Sequence, residues 1–219
     1  LVSVSGTTVN VTGTSGNDTF EFTAGSTHRL TVNGITHDFS SIAVNAININ
    51  GGGGTDSITY NGTSGTDTAT LRVGEMSVVA TGINVQANSV ENIVVVSGGG
   101  NDRIDLYDSS SDDFMTNTPT QTTLAGTGYS NTAQGFAQVW AWASTGNDTA
   151  YSYDSAGDDL FRQWSTHFVS SGTGFFNYGR GFDVTYAFSS SGYDRALLYD
   201  SAGDDLFRAW SDHHVYSGN

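Results

Sequence analysis

The chain has 219 residues and a formal net charge of −15 at neutral pH, with 22 acidic side chains, seven arginines, no lysine and no cysteine. Such an acidic chain disfavours nucleic acid and anionic membranes as partners, because both attract clustered Lys and Arg. No apolar run is long enough to span a bilayer, so no membrane insertion is expected. The charge is compatible with divalent cations and with an extracellular location.

Gly, Asp, Ser, Thr and Asn are abundant, and 19 of the 22 acidic residues are Asp rather than Glu. These residues favour turns and are poor helix formers, whereas the accompanying Val, Thr, Tyr and Phe favour strands. We therefore predict an all-β protein.

Residues 1–53 are predicted to form an irregular first repeat. Asn33-Gly34 lies there between the β-prone segments 30–32 and 35–36, which is the strongest short-range signal for a hairpin. We expect this hairpin to cap an open sheet edge. The chain begins with Leu and has no visible signal peptide, which suggests a mature or excised segment of a longer protein.

The rest of the chain repeats every 46 residues without a gap. Of the last 28 residues, 19 are identical to the residue 46 positions earlier. We predict one array over 1–219, with full repeats at 54–99, 100–145 and 146–191 and a partial repeat at 192–219. A fixed period of this kind is typical of folds in which each unit buries its apolar face against its neighbours.

Alternating side chains define the strands within a unit. Val139, Ala141 and Ala143 alternate with Trp140 and Trp142, as in a half-buried strand. About four strand-sized segments fit in each unit. The same alternation predicts seven inward-facing side chains: Ala141, Ala150, Phe161, Phe182, Ala187, Ala196 and Phe207.

Two architectures suit this spacing. A parallel β-solenoid would have two coils of about 23 residues per unit, and a β-propeller would have one four-stranded blade per unit. We favour the parallel β-solenoid, because an open stack tolerates a partial last repeat whereas a propeller ring must close.

Two columns of aspartates recur with the period and are the candidate functional residues. The first aspartate column contains Asp56, Asp102, Asp148 and Asp194, and the second aspartate column contains Asp67, Asp113, Asp159 and Asp205. Stacked carboxylates repel one another, so the fold has to stabilise them. They either accept hydrogen bonds from turn amides, as structural turns, or they bind Ca²⁺ together with turn carbonyls. We favour structural turns, with calcium as the alternative.

One loop suggests calcium more strongly than the others. The segment 51–59, Gly-Gly-Gly-Gly-Thr-Asp-Ser-Ile-Thr, resembles the nonapeptide of RTX calcium β-rolls at every specified position, and 98–104 is similar to it. The resemblance implies one Ca²⁺ per turn, held by glycine-loop carbonyls and the Asp. The chain departs from that family because the nonapeptides are not in tandem, and the loops before Asp148 and Asp159 keep only the last glycine.

A closer resemblance covers nearly the whole chain. Gly-Asn-Asp-Thr at 146–149 and Tyr-Asp-Ser-Ala-Gly-Asp-Asp-Leu-Phe at 153–161 resemble the repeats of very large exported surface proteins of the planctomycete type. The resemblance implies a surface location and a repetitive architecture rather than an activity.

Paired aromatic and histidine residues also repeat. Trp164 and Trp210 precede His167 and His213 by three residues. Such a pair can bind sugar or metal, but we favour ring stacking along a solenoid face.

These observations predict a non-enzymatic, extracellular structural protein, namely a segment or subunit of a surface fibre, filament or adhesin stalk. We expect it to self-associate end to end and to be able to contact glycans or the cell surface. The alternative is a calcium-responsive module of the RTX type. A third hypothesis, a polysaccharide lyase or epimerase with a β-helix fold, is supported only by fold-level analogy.

Overall fold

A computed structural model describes residues 1–41, 43–199, 201–202, 206–209 and 214–217. The regular elements in these ranges are β-strands, as the all-β prediction requires. Among the described residues, no helix has the length and apolar character needed to cross a membrane.

The strands in chain order are β1 (Val2–Ser5), β2 (Thr8–Thr12), β3 (Thr19–Thr23), β4 (Thr27–Val32), β5 (Ile35–Ser40), β6 (Ala46–Asn50), β7 (Ser57–Asn61), β8 (Thr68–Arg72), β9 (Glu75–Ala80), β10 (Ile83–Asn88), β11 (Asn92–Val96), β12 (Arg103–Tyr107), β13 (Phe114–Asn117), β14 (Gln121–Gly126), β15 (Tyr129–Gln134), β16 (Gln138–Trp142), β17 (Thr149–Tyr153), β18 (Leu160–Gln163), β19 (His167–Gly172), β20 (Phe175–Arg180), β21 (Val184–Phe188), β22 (Arg195–Leu198), β23 (Leu206–Ala209) and β24 (His214–Ser217).

Two large sheets enclose the core. The twelve-stranded sheet has the order β1-β2-β6-β10-β9-β8-β12-β16-β20-β19-β18-β22, and the ten-stranded sheet has the order β21-β17-β13-β14-β15-β11-β7-β3-β4-β5. Strands β23 and β24 form a separate antiparallel pair. The coils stack in parallel into a β-solenoid of about five turns, which confirms the predicted fold class. Both large sheets have a linear strand order, so the β-propeller alternative is wrong.

Three-stranded antiparallel meanders interrupt the parallel stack. They comprise β8-β9-β10, β13-β14-β15 and β18-β19-β20. Each full 46-residue unit therefore holds five strands rather than the expected four. Because a meander inserts two extra strands, parallel neighbours are 35 or 38 residues apart, as with Thr68 beside Arg103 and Asn92 beside Ser130. The predicted coil of about 23 residues is wrong for this reason.

The meanders also alternate between the sheets. In each unit the chain crosses from one sheet to the other three times, which is an odd number, so the next meander forms in the opposite sheet. Residues 46 apart in sequence therefore occupy equivalent positions in opposite sheets. Residues that stack directly on one another are 35 or 38 apart instead.

Short turns that end in glycine build the hairpins. Thr127-Gly128 and Thr173-Gly174 join strands within two meanders, and both glycines have positive φ, 79° and 83°. Glycine adopts this left-handed conformation without steric cost. The hairpin predicted at Asn33-Gly34 joins β4 to β5, with φ of 49° and 79°, and β5 ends the ten-stranded sheet.

The core lies between the two sheets and contains mainly Val, Ile, Leu, Phe and Ala. Four of the seven predicted inward-facing residues are buried or packed against it: Ala141, Ala150, Phe161 and Phe182. Ala187 is half-buried, and Ala196 is exposed on β22, the last strand of its sheet. The side chain of Phe207 lies outside the described residues.

Candidate functional site: the aspartate turns

The described members of both aspartate columns lie in turns that carry the chain from one large sheet to the other. Six of them are buried: Asp56, Asp67, Asp102, Asp113, Asp148 and Asp159. Asp194 is half-buried, and Asp205 lies outside the described residues. A buried carboxylate is costly without partners, so the contacts of each one identify its role.

Members of the second column close their own turn. The carboxylate of Asp113 accepts hydrogen bonds from the backbone N–H and the hydroxyl of Ser109, four residues earlier, at 3.0 and 2.7 Å. The same contact recurs in two further turns: Thr63 with Asp67, and Ser155 with Asp159. A hydroxyl and a carboxylate four residues apart therefore fold this turn locally.

Members of the first column join one coil to the next. Three of them accept the backbone N–H of the second-column aspartate 35 residues earlier: Asp102 from Asp67 (N···O 2.7 Å), Asp148 from Asp113 (2.9 Å) and Asp194 from Asp159 (3.1 Å). The two columns are 11 residues apart within a unit, and 46 − 11 = 35, so the second column of one unit meets the first column of the next. A hydrogen bond to a charged acceptor contributes about 1.5–3 kcal/mol. These contacts are those of structural turns.

Three acidic residues that sequence reasoning missed extend the same pattern. Asp18 donates its backbone N–H to Asp56, at 2.7 Å. Asp56 in turn donates to Glu91, at 2.7 Å, and Asp148 donates to Asp183, at 2.8 Å. Asp18 had a visible signal, because Thr-Ser-Gly-Asn-Asp at 14–18 repeats the pattern at 63–67. Glu91 and Asp183 follow their donors by 35 residues, a spacing that only the meander explains.

The glycine-rich loop that resembles the RTX nonapeptide has a packing explanation. A Cβ atom on Gly52 would lie 2.1 Å from the carbonyl oxygen of Thr14 in the adjacent coil. One on Gly98 would lie 2.0 Å from that of Thr63. The backbones of neighbouring coils approach too closely for any side chain at these positions, so they require glycine whether or not a cation binds.

The second oxygen of the first-column carboxylates differs among turns. Oδ2 of Asp102 accepts a hydrogen bond from the hydroxyl of Ser97, five residues earlier. The equivalent residue is Ala143 for Asp148 and Gly51 for Asp56, and neither has a hydroxyl. Oδ2 of Asp148 and of Asp56 is buried and accepts no hydrogen bond from the described residues.

Two groups of three carboxylates form where the columns meet. The inner cluster contains Asp108, Asp113 and Asp148, and the outer cluster contains Asp154, Asp159 and Asp194, 46 residues later. In each cluster, one oxygen from every carboxylate lies within 4.8 Å of the others. Asp108 and Asp154 each follow a tyrosine in the tripeptide Tyr-Asp-Ser, at 107–109 and 153–155, but neither was among the candidate residues predicted from the sequence. Asp108 accepts the backbone N–H of Ser144 at 2.7 Å, and Asp154 that of Ser190 at 3.1 Å.

The inner cluster is electrostatically unfavourable when all three groups are charged. Burial raises the pKa of Asp148 to about 6. The hydrogen bond from the Asp113 backbone lowers this pKa, whereas the charges of Asp108 and Asp113 raise it further. Burial also raises the pKa of Asp108. Two full charges 4.8 Å apart repel by about 3.5 kcal/mol at an effective dielectric constant of about 20. The ion pairs found within the described ranges, Arg29–Asp38 and Arg103–Asp105, bring no cation to either cluster.

The surroundings of the two clusters differ. In the inner cluster, Tyr129 donates its hydroxyl to Oδ1 of Asp113, at 3.0 Å. The equivalent residue near the outer cluster is Phe175, and Oδ1 of Asp159 is buried without a hydrogen bond from the described residues. The outer cluster also lines a cavity of about 290 Å³.

The aromatic–histidine pair stacks, as we expected. The ring centroids of Trp164 and His167 are 4.4 Å apart with an interplanar angle of 9°. The ring of Tyr199 also stacks on Trp164, with the centroids 4.8 Å apart. Trp210 and His213 lie outside the described residues.

No protein-family model, curated protein or solved structure matches the chain. What the chain does must follow from its own contacts.

Proposed function

We propose that the chain is a non-enzymatic structural protein, an extracellular segment or subunit of a surface fibre, filament or adhesin stalk. In this role the stacked coils carry load along the axis, and the turns keep the coils in register. The acidic composition favours solubility outside the cell.

The observation that carries the proposal is the repeated hydrogen bond between coils. Five times within the described residues, a carboxylate accepts the backbone N–H of an aspartate 35 residues earlier. The carboxylates that an enzyme would use as acid or base are thus engaged in holding turns together, and both acidic clusters exist in copies 46 residues apart. Repetition of this kind serves a mechanical role, in which every coil does the same work.

The strand edges support the proposed end-to-end association. Within the described residues, β22 and β21 are the last strands of the twelve- and ten-stranded sheets, and β1 and β5 are the last strands at the other end. An uncovered edge can pair with a further strand of the same polypeptide or of a second copy. Head-to-tail contacts that do not close into a ring produce filaments.

A solvent-facing group of aromatic rings favours contact with glycans or another surface. Tyr153 stacks on Phe188 at 4.7 Å, and Tyr151 stacks on Tyr186 at 5.2 Å. Tyr153, Tyr186 and Phe188 are 39%, 46% and 43% exposed. Flat, exposed aromatic rings are suited to stacking on sugars. Contact with glycans is therefore the partner interaction that we include in the proposal.

Sedimentation velocity over a wide concentration range, combined with electron microscopy, tests the proposal. We expect species larger than the 23.0 kDa chain to accumulate with concentration and to grow along one axis. A monodisperse 23.0 kDa monomer at high concentration would contradict end-to-end assembly. Cleavage or epimerisation of an acidic polysaccharide by the purified chain would instead support the enzyme hypothesis.

A further inference from the structure

The inner cluster combines three carboxylates with a buried oxygen that has no donor. Asp148 is 0% exposed, and its Oδ1 is engaged by the backbone N–H of Asp113. Oδ2 is therefore the oxygen that remains, and it accepts no hydrogen bond from the described residues. Burying a carboxylate oxygen without a partner is unfavourable, and the Asp108 and Asp113 carboxylates beside it make the local charge more negative.

The spacing of the carboxylates suits a calcium ion. Oxygens bound to one Ca²⁺ at 2.3–2.6 Å are at most about 5 Å apart. One oxygen from each of Asp108, Asp113 and Asp148 lies within 4.8 Å of the other two. The cluster offers oxygen atoms only. Ca²⁺ binds oxygen ligands, whereas softer metals favour nitrogen and sulfur ligands.

We infer that the inner cluster is a calcium site, in which Asp108, Asp113 and Asp148 bind one ion between two adjacent coils. The site is separate from the glycine-rich loops at 51–59 and 98–104, since none of its three ligands comes from them. The ion links Asp108 and Asp113, at the two ends of one turn, to Asp148 in the next coil. Calcium binding would therefore fasten neighbouring coils, and this inference does not depend on the fibre role.

The outer cluster is the built-in comparison for this site. Its members Asp154 and Asp194 are half-buried, so water competes with the ion more strongly there. Asp159 also has a buried oxygen without a donor, and this oxygen lies beside Gly172. We expect the outer cluster to bind Ca²⁺ more weakly than the inner cluster.

Calorimetric titration of CaCl₂ into the chelator-treated full chain tests the inference. We expect saturable binding with Kd below about 1 mM, and a Kd at least about tenfold weaker in Asp108→Asn, since ligand charge sets calcium affinity. Asn keeps an oxygen that can accept the Ser144 N–H. The matched control is Asp112→Asn, in the same turn. Asp112 is exposed, lies outside the cluster and accepts the Asn147 N–H at 2.9 Å. The Kd of Asp112→Asn for Ca²⁺ should therefore differ from that of the wild-type chain by less than about threefold.

Three calorimetric results would overturn the inference. One is the absence of saturable binding by the wild-type chain at millimolar Ca²⁺. Another is equal weakening by Asp108→Asn and Asp112→Asn, which would indicate a diffuse attraction to negative charge. Weakening by Asp154→Asn that exceeds the effect of Asp108→Asn would move the tight site to the outer cluster and would also contradict the assignment.

Thermal melting separates a calcium ligand from a residue that only closes a turn. In chelator, Asp108→Asn should melt above the wild-type chain, because it removes one of three repelling charges. In 5 mM Ca²⁺ (about five times the upper Kd limit), the melting temperature should rise by more for the wild-type chain than for the variant, because the ion stabilises the folded state that binds it more tightly. A variant that melts below the wild-type chain under both conditions would identify Asp108 as a structural acceptor and would overturn the inference.

Discussion

The inner and outer clusters have the same turns and different surroundings. Both place three aspartates at the same spacing, and in both a first-column carboxylate accepts a second-column N–H. Around the inner cluster, Leu106 and Leu124 fill the core, whereas the equivalent residues at the outer cluster are Ser152 and Ser170. In the inner cluster Asp113 and Asp148 are buried and Asp108 is half-buried, whereas the outer cluster borders a cavity of about 290 Å³.

The comparison of the two clusters shows that the hydrogen bonds of the turn are the same in both copies, whereas the side chains around the turn differ. The second-column turn needs a carboxylate and a hydroxyl four residues before it, and Thr63, Ser109 and Ser155 supply that hydroxyl in the described copies. The electrostatic cost of the carboxylates depends instead on neighbours outside the motif, such as Tyr129 or Phe175. Substitutions at these neighbours should therefore change the two clusters unequally.

The largest expected difference comes from adding one methyl group beside each cluster. A Cβ atom on Gly126 would lie 1.6 Å from Oδ1 of Asp113, and one on Gly172 would lie 1.7 Å from Oδ1 of Asp159. Gly126→Ala should lower the free energy of unfolding by about 3 kcal/mol, because the enclosed carboxylate has no room to move. Gly172→Ala should cost about 1 kcal/mol, since Asp159 can shift into the cavity. Urea denaturation of the two variants measures both, and equal losses would mean that the cavity gives no relief.

Protonation of Asp148 should change stability by nearly as much. The folded pKa is about 6 and the unfolded value is 3.8, so the folded state holds the proton more tightly. This contribution to stability is complete below about pH 3.8 and is lost as the pH rises through about 6, up to about 3 kcal/mol in total. Asp148→Asn in chelator should remove that part of the pH dependence.

Urea denaturation at several pH values in chelator measures the effect, with Asp112→Asn as the control that removes a charge from an exposed position. We expect the free energy of unfolding to depend less on pH in Asp148→Asn than in the control. Identical profiles for Asp148→Asn and the wild-type chain would show that Asp148 does not titrate in this range.

Exchanging one hydroxyl should make the clusters more alike. Tyr129→Phe removes the donor to Asp113 and should destabilise the chain by about 1–2 kcal/mol, because it leaves a buried carboxylate oxygen unpaired. Phe175→Tyr supplies the missing donor near Asp159 and should stabilise by about 1 kcal/mol. Thermal unfolding of both variants measures the two shifts. Shifts of the same sign would contradict the comparison.

The smallest expected effect is at the residue before the inner turn. Ala143→Ser introduces the hydroxyl that Ser97 provides to Asp102 and should stabilise by less than about 1 kcal/mol while lowering the pKa of Asp148. An NMR titration of the Asp148 carboxyl carbon follows this pKa. The reverse substitution, Ser97→Ala, should destabilise the chain because it removes the hydroxyl donor from Asp102, and no change in either variant would exclude the hydroxyl as a donor.

The sequence alone predicted the all-β solenoid, because its composition favours strands and its fixed period favours stacked coils. The expected stacking within each aspartate column is wrong, since residues 46 apart lie in opposite sheets. The sequence did not predict the meanders, because a two-residue turn such as Thr127-Gly128 is a weak signal within a Gly-rich chain. Without the meanders, the 35-residue stacking that brings Asp67 to Asp102 could not be derived. Asp108 was missed as a cluster member for the same reason, since its nearest carboxylates include one from another coil.

Amide hydrogen exchange at Asp113 tests the central claim most directly, namely that first-column carboxylates hold neighbouring coils together. This amide lies in a turn, yet it donates to Asp148 in the next coil and should exchange as slowly as amides within β12 and β13. In Asp148→Ala, the Asp113 amide should lose its protection, while the Asp67 amide, bonded to Asp102, keeps it. Fast exchange at Asp113 in the wild-type chain, or protection that survives in Asp148→Ala, would contradict the account.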